Sequence, residues 1–187
     1  KSAHTRRLKE MHKDFVPYAK AVIWKIYDTL DGSVTLNSSF RTYQQQKEMR
    51  QKWDAWKAGN GPDPGYAAKP AKAGTSNHNF GTACDFNPTI NGQTITSKKT
   101  KAEWEATGIP KIIRSYGLRW GGDFSGNYDP IHFDLGLDSA KKSEISEAMK
   151  SEETTTGAIQ KINQVNLFGP STSEPVDRFG ESEVLTN

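Results

Sequence analysis

The chain reads as an α+β domain in which a small antiparallel sheet packs against helices, and three observations point there. Leu8, Met11, Phe15, Ala19, Val22, Ile26 and Leu30 recur at steps of three and four across residues 6–30, the period of one helix face. Short runs such as "SVTLNSSF", "LRW" and "IHFDL" read as strands. Asn91-Gly92 is a hairpin turn, the connection that joins antiparallel neighbours.

The elements follow in order. Asp31-Gly32 stops the first helix, and Val34 and Leu36 alternate in the strand after it. Thr42 with Gln45 three residues on forms a capping box for a helix over about residues 43–58. Residues 59–75 are rich in Gly, Pro and Ala and read as loop, and a loop this long inside a domain is often functional. "GTACDFNPTINGQTI" reads as a strand and a small hairpin. Helical spacing over residues 98–116 is broken by Gly108 and Pro110, which predicts two short helices ending at Gly117. Two more strands and a helix over residues 139–151, started by Asp138 or Ser139, complete a domain of residues 1–151. Residues 152–187 are polar and without period, which predicts a tail or linker.

Composition excludes several function classes. The net charge of +3, from 25 basic and 22 acidic residues, is too mild for nucleic acid, which calls for a concentrated basic face. No apolar run is long enough to span a membrane, and no signal peptide is visible at residues 1–13, although position 1 is Lys rather than Met. The lone Cys84 rules out an internal disulfide and a Cys-rich zinc finger.

The chemistry concentrates in "SNHNFGTACDF", residues 76–86, and "WGGDFSGNYDPIHFDLG", residues 120–136. A hydrolytic zinc site takes three protein ligands from His, Asp or Glu and keeps one position open. His78, Asp85 and His132 supply such a set: His78 leaves a loop, Gly81 permits a tight bend, and Asp85 sits on the next strand. Ala83 shares the face of Asp85 and leaves room for an ion, while Cys84 points the other way as a small buried hydrophobe. Single histidines are more often surface or satisfied core residues, the reading given to His4 and His12, so residue types alone leave the metal open. Amide cleavage also needs a carboxylate to move a proton. Asp129, tied to His132 through the stiffening Pro130, is placed for that work. Asp123 competes, but after two glycines it reads better as a turn residue. Asp134 shares a strand face with His132 and reads as an acceptor that orients it.

Ser76-x-His78-x-x-Gly81-x-Ala83-x-Asp85, followed by Asp129-x-x-His132, resembles the signature of one zinc peptidase family. Its members are the D-alanyl-D-alanine carboxypeptidases and dipeptidases and the L-alanyl-D-glutamate endopeptidases of phage endolysins. "RLKEMHKDFVPYAKAV", "SFRTYQQQ" and "YGLRWGGDF" are similar to other stretches of that family, so the resemblance covers about residues 6–137. It implies one zinc ion held by His78, Asp85 and His132, with Asp129 as the general base. It implies that Arg41 steadies the scissile carbonyl and its developing oxyanion, and that Ser76 lies beside the substrate. An aspartate base, in place of the glutamate of the dipeptidase branch, looks more like the endolysin branch.

The expectation is therefore a monomeric zinc peptidase of the peptidoglycan stem peptide, cleaving L-alanyl-D-glutamate in preference to D-alanyl-D-alanine. It would act on the bacterial cell wall, outside the cell or on a virion, with residues 152–187 joining a particle or another domain. A non-catalytic, zinc-containing wall-binding or structural virion module is the rival from another class, and Asp129 argues against it.

Overall fold

Seven helices and five short strands occur among the described residues, 2–149 and 154–168 of the computed structural model. The helix expected over residues 6–30 is two helices, α1 (Ser2–Lys9) and α2 (Val16–Leu30). The break has two causes. Pro17 has no N–H to donate and is tolerated only in a first turn, where it stands in α2. The His12 N–H is drawn out of the helix to the Gly81 carbonyl at 2.9 Å. Asp31, left-handed at φ 46°, ends α2.

β1 (Ser33–Ser38) alternates in burial, with Val34 and Leu36 inward. α3 (Tyr43–Lys57) carries the expected capping box: Gln45 N–H donates to Thr42 Oγ1 at 3.1 Å, and Thr42 N–H donates to Gln45 Oε1 at 2.9 Å. The expected loop leads to a single 3₁₀ turn, Asn77–Phe80, and then to β2 (Ala83–Ile90) and β3 (Gln93–Thr94), joined by the Asn91-Gly92 turn. α4 (Lys101–Ala106) and α5 (Ile109–Ser115) are the two short helices, separated at Gly108. β4 (Arg119–Trp120), a second 3₁₀ turn at Gly121–Asp123, β5 (His132–Asp134), α6 (Ser139–Met149) and α7 (Thr155–Ile162) follow.

The sheet runs β1-β2-β5-β4, every pair antiparallel, with β3 added beside β2. Alternation divides the strands into two faces. One face presents Val34, Leu36, Cys84, Phe86, Phe133 and Trp120 to a core completed by Phe15, Val22 and Ile26 of the N-terminal helices and Trp104, Ile109 and Ile113 of α4 and α5. Phe133 sits at its centre, its ring 5.2 Å from Phe86 and 6.0 Å from Phe15. The opposite face carries Asp85, His132 and Asp134. No helix among the described residues is long and apolar enough to cross a membrane.

A second apolar cluster joins Phe40 and Phe80 to Ile145 of α6 and to Ala158, Ile162, Val165 and Leu167. The expectation of a polar tail from residue 152 therefore fails for residues 154–168. That segment forms α7, capped by Thr154 through the Gly157 N–H at 3.0 Å, and buries its apolar side chains. It is also tied to the N-terminal region, where His12 Nε2 donates to the Val165 carbonyl and the Leu167 N–H donates to Asp14 Oδ2. Ala158, Ile162 and Val165 stand at helical steps of four and three, but the pattern lasts only two turns between polar stretches and reads as tail. The rest of the expected tail, residues 169–187, lies outside the described residues.

Candidate metal centre

Register brings the first two groups together. Asp85 of β2 stands directly across from His132 of β5, and Ala83 stands across from Asp134. Two residues directly opposite on adjacent strands have side chains about 5 Å apart at Cβ, close enough for their tips to meet. The third group comes from the turn that feeds β2. Ser76 caps that turn by accepting the His78 N–H at 3.4 Å, and Gly81 closes it at φ 67°. A Cβ at Gly81 would lie 2.7 Å from the His12 nitrogen and 2.7 Å from Ile162, so the bend admits only glycine.

Each imidazole spends one nitrogen on holding its orientation and leaves the other free. His78 Nδ1 donates to the Ser39 carbonyl, which turns Nε2 inward. His132 Nε2 donates to Asp134 Oδ2 at 2.8 Å, which turns Nδ1 inward. Arg119 grips Asp134 through bonds of 2.7 and 2.9 Å and so holds the acceptor itself. The inward atoms converge: His78 Nε2 lies 3.1 Å from Asp85 Oδ1 and 3.2 Å from His132 Nδ1, and His132 Nδ1 lies 3.0 Å from Asp85 Oδ1.

This triangle fits zinc. Tetrahedral ligands about 2.0–2.1 Å from the ion are about 3.3 Å from one another, close to the edges seen here. Two imidazole lone pairs and a carboxylate oxygen facing one another repel unless a cation lies between them. Burial opposes a charge on His132, but hydrogen bonds and charges from Asp134 and Asp85 outweigh it and push its pKa up to about 10. Burial likewise opposes the Asp85 charge, yet His78, His132 and Arg41 hold that carboxyl well below its usual range. Burial lowers the His78 pKa. The set is built around a positive charge, and its two nitrogens and one oxygen suit a borderline-soft ion such as zinc.

The group opens into a cleft of about 510 Å³ that also takes in Arg41, Ser76 and Asp129. Arg41 is drawn in by a register shift between Leu36 and Ser38 in β1 and by its own N–H, which donates to the His78 carbonyl at 3.0 Å. Its guanidinium donates to Asp85 Oδ2 and reaches to 3.3 Å from His78 Nε2, while Ser38 and Gln46 hold its other nitrogens at 3.1 and 3.2 Å. Asp129 begins the turn into β5, its N–H bonded to Gly121 and its carbonyl to the His132 N–H, each at 3.1 Å. A Cβ at Gly121 would run into that carbonyl and stand 3.0 Å from His132 Cβ, so this glycine keeps the turn close. Burial and then the Asp85 charge push the Asp129 carboxyl up to about 6.

Asp123 takes no part in this cleft. It pairs with Lys101 at 2.7 Å and Arg114 at 2.8 Å, a structural role that matches the turn reading. His12 is the satisfied core histidine expected, bonded to Val165 and to the Asp14 N–H. The side chain of His4 lies outside the described residues. Sequence reasoning missed Arg119 and Gln46. Arg119 was findable, since it pairs with Asp134 once "LRW" is set antiparallel to "HFD". Gln46 carries no such signal.

A family model described as D-alanyl-D-alanine carboxypeptidase matches residues 70–135. That segment contains Ser76, His78, Asp85, Asp129 and His132, so the match and the motif resemblance fall on the same residues; Arg41 lies outside it. Among solved structures, the chain is similar to the L-Ala D-Glu endopeptidase ChiX of Serratia marcescens, at 19% identity, 72% of this chain, 87% of that one and a TM-score of 0.46. It is also similar to a vancomycin-resistance D,D-pentapeptidase, a VanY mutant from the VanB-type cassette in complex with Zn(II), at 20% identity, 73% and 78% coverage and a TM-score of 0.46. A third likeness is to VanYB in complex with D-alanine-D-alanine, at 21% identity, 76% and 84% coverage and a TM-score of 0.44.

Proposed function

We propose that the protein is a zinc-dependent peptidase of the peptidoglycan stem peptide, with L-alanyl-D-glutamate as its preferred bond. The observation that carries the reading is the inward triangle of His78 Nε2, Asp85 Oδ1 and His132 Nδ1, at edges of 3.0 to 3.2 Å, in a cleft that also holds a carboxyl raised to about 6. In this reading His78, Asp85 and His132 hold the zinc, and when bound it supplies Lewis acidity toward a carbonyl and toward water. Asp129 takes a proton from the attacking water and returns it to the leaving nitrogen, work that suits a carboxyl whose pKa stands near the operating pH. Arg41, a planar fork of N–H donors, faces the oxygen on which negative charge develops. Ser76 borders the substrate at the mouth of the His78 turn. The aspartate base supports the endopeptidase branch.

A second reading, D-alanyl-D-alanine carboxypeptidase, is favoured by the description of the family model that matches residues 70–135. The site of action in either case is the bacterial cell wall, reached from outside the cell or from a virion, by a monomer. Purified protein should hold one zinc per chain and cleave wall fragments in a chelator-sensitive, zinc-restored reaction. Mass spectrometry of the products separates the two bonds. Zinc-loaded protein that binds wall fragments and cleaves none would replace both readings with the binding module.

A further inference from the structure

Four cationic side chains line the cleft among the described residues: Arg41, Lys69, Arg119 and Lys142. Three are accounted for. Arg41 is bound to Asp85, Arg119 is gripped by Asp134, and Lys69 is exposed to solvent. Lys142 is different. It projects from α6, half-buried, with Nζ donating to the Thr75 carbonyl at 3.1 Å and standing 5.9 Å from the centre of the Phe80 ring. Both partners are neutral, and none of the ion pairs among the described residues includes it. Burial and then the Arg119 charge lower its pKa, and Asp134 attracts it, but that carboxylate is already shared between His132 and Arg119. An ammonium offers three N–H donors, so a charge with unfilled donors faces the cleft that holds the metal ligands.

Resting on the peptidase reading above, we propose that Lys142 binds a carboxylate of the substrate, the free α-carboxylate on the residue at the leaving side of the scissile bond. The two bonds under consideration share this chemistry. The last residue of D-alanyl-D-alanine ends in a carboxylate, and a D-glutamate extended through its side-chain carboxyl keeps its α-carboxylate. The position fits, because Thr75, which holds the ammonium, directly precedes Ser76 and the His78 turn. Lys142 lies beyond the segment matched by the family model, on a helix anchored by Ile145 in the second core. The carboxylate subsite is thus a feature of this chain's C-terminal packing.

The test uses the zinc-loaded full chain and four synthetic stem peptides, an L-alanyl-D-glutamate pair and a D-alanyl-D-alanine pair, each as the α-acid and as the primary amide. The wild type should prefer the acid of whichever pair it cleaves, which also identifies the bond. Lys142→Met should raise KM for that acid about 10-fold, the scale of one hydrogen bond to a charged group, with kcat, zinc content and the KM of the amide little changed. Lys142→Arg should keep most of the preference, and Lys142→Gln serves if the methionine variant folds poorly. Equal effects on acid and amide, or none on the acid, overturn the proposal and leave the peptidase reading intact. A wild type that cleaves none of the four removes the peptidase reading itself. Lys142 is then judged by calorimetric binding of the same peptides, and equal affinity for acid and amide overturns it.

Discussion

Asp129 is held between opposing influences: burial and the Asp85 charge raise its carboxyl to about 6, and His132 and Arg41 pull it back. A proton acceptor works only when ionised, so activity should be lost as pH falls through the pKa of Asp129. Zinc held by His78, Asp85 and His132 would add a positive charge in the same cleft and lower that pKa. The acid limb of kcat/KM should therefore lie at or below about pH 6, and a limb near neutrality would assign the base elsewhere. Asp129→Asn should keep zinc and lower kcat by about 10² to 10⁴, while Asp123→Asn, which loses only its pairs with Lys101 and Arg114, should cost far less. Asp134 fixes the orientation of His132, a candidate metal ligand. Asp134→Asn should weaken zinc affinity by about 10- to 100-fold in a competition titration with a chelator, because the imidazole loses a charged partner and Arg119 loses its own.

The elements place these side chains more than they provide them. β2 and β5 contribute Asp85 and His132 through register alone, and a slip of one residue between them would turn one of the two to the core face. The 3₁₀ turn of His78 depends on Gly81, whose missing side chain lets the turn lie against His12 and Ile162. Gly81→Ala meets backbone at His12 and a φ of 67°, so it should destabilise the fold by more than about 1 kcal/mol, read as a lowered melting temperature. Zinc should protect the variant less than it protects the parent, since the strained turn carries the candidate ligand His78.

For the molecule as a whole, the second core binds the C-terminal segment to both ends of the site, through Phe80 beside the His78 turn and Ile145 beneath Lys142. Truncation before Thr154 removes Ala158, Ile162, Val165 and Leu167 from that core and the Val165 partner from His12. It should lower the melting temperature clearly, and Ile162→Ala alone should cost about 2–5 kcal/mol by denaturant unfolding. An unchanged melting temperature would return residues 154–168 to the role of a tail. The same interface is acid-sensitive. Burial lowers the His12 pKa against the pull of Asp14, and Nδ1 must stay unprotonated to accept the Asp14 N–H. The unfolded chain takes up that proton first, so this contribution is complete above about pH 6.5 and declines as pH falls below it.

Much of the site was legible because its chemistry depends on residue type at short spacing. Two histidines, two aspartates and a glycine in fixed order picked out the groups that the fold gathers around one cleft, and the capping box at Thr42 and the Asn91-Gly92 turn are local signals that need no partner. The break between α1 and α2 was half legible, since Pro17 was in view, but the Gly81 carbonyl that captures His12 is distant in sequence. Tertiary structure alone decided two things. Lys142 enters the cleft because α6 packs there, and residues 154–168 join the core because Phe40 and Phe80 leave an apolar surface to cover. Each depends on contacts between residues far apart in the chain, and periodicity and spacing report only on neighbours.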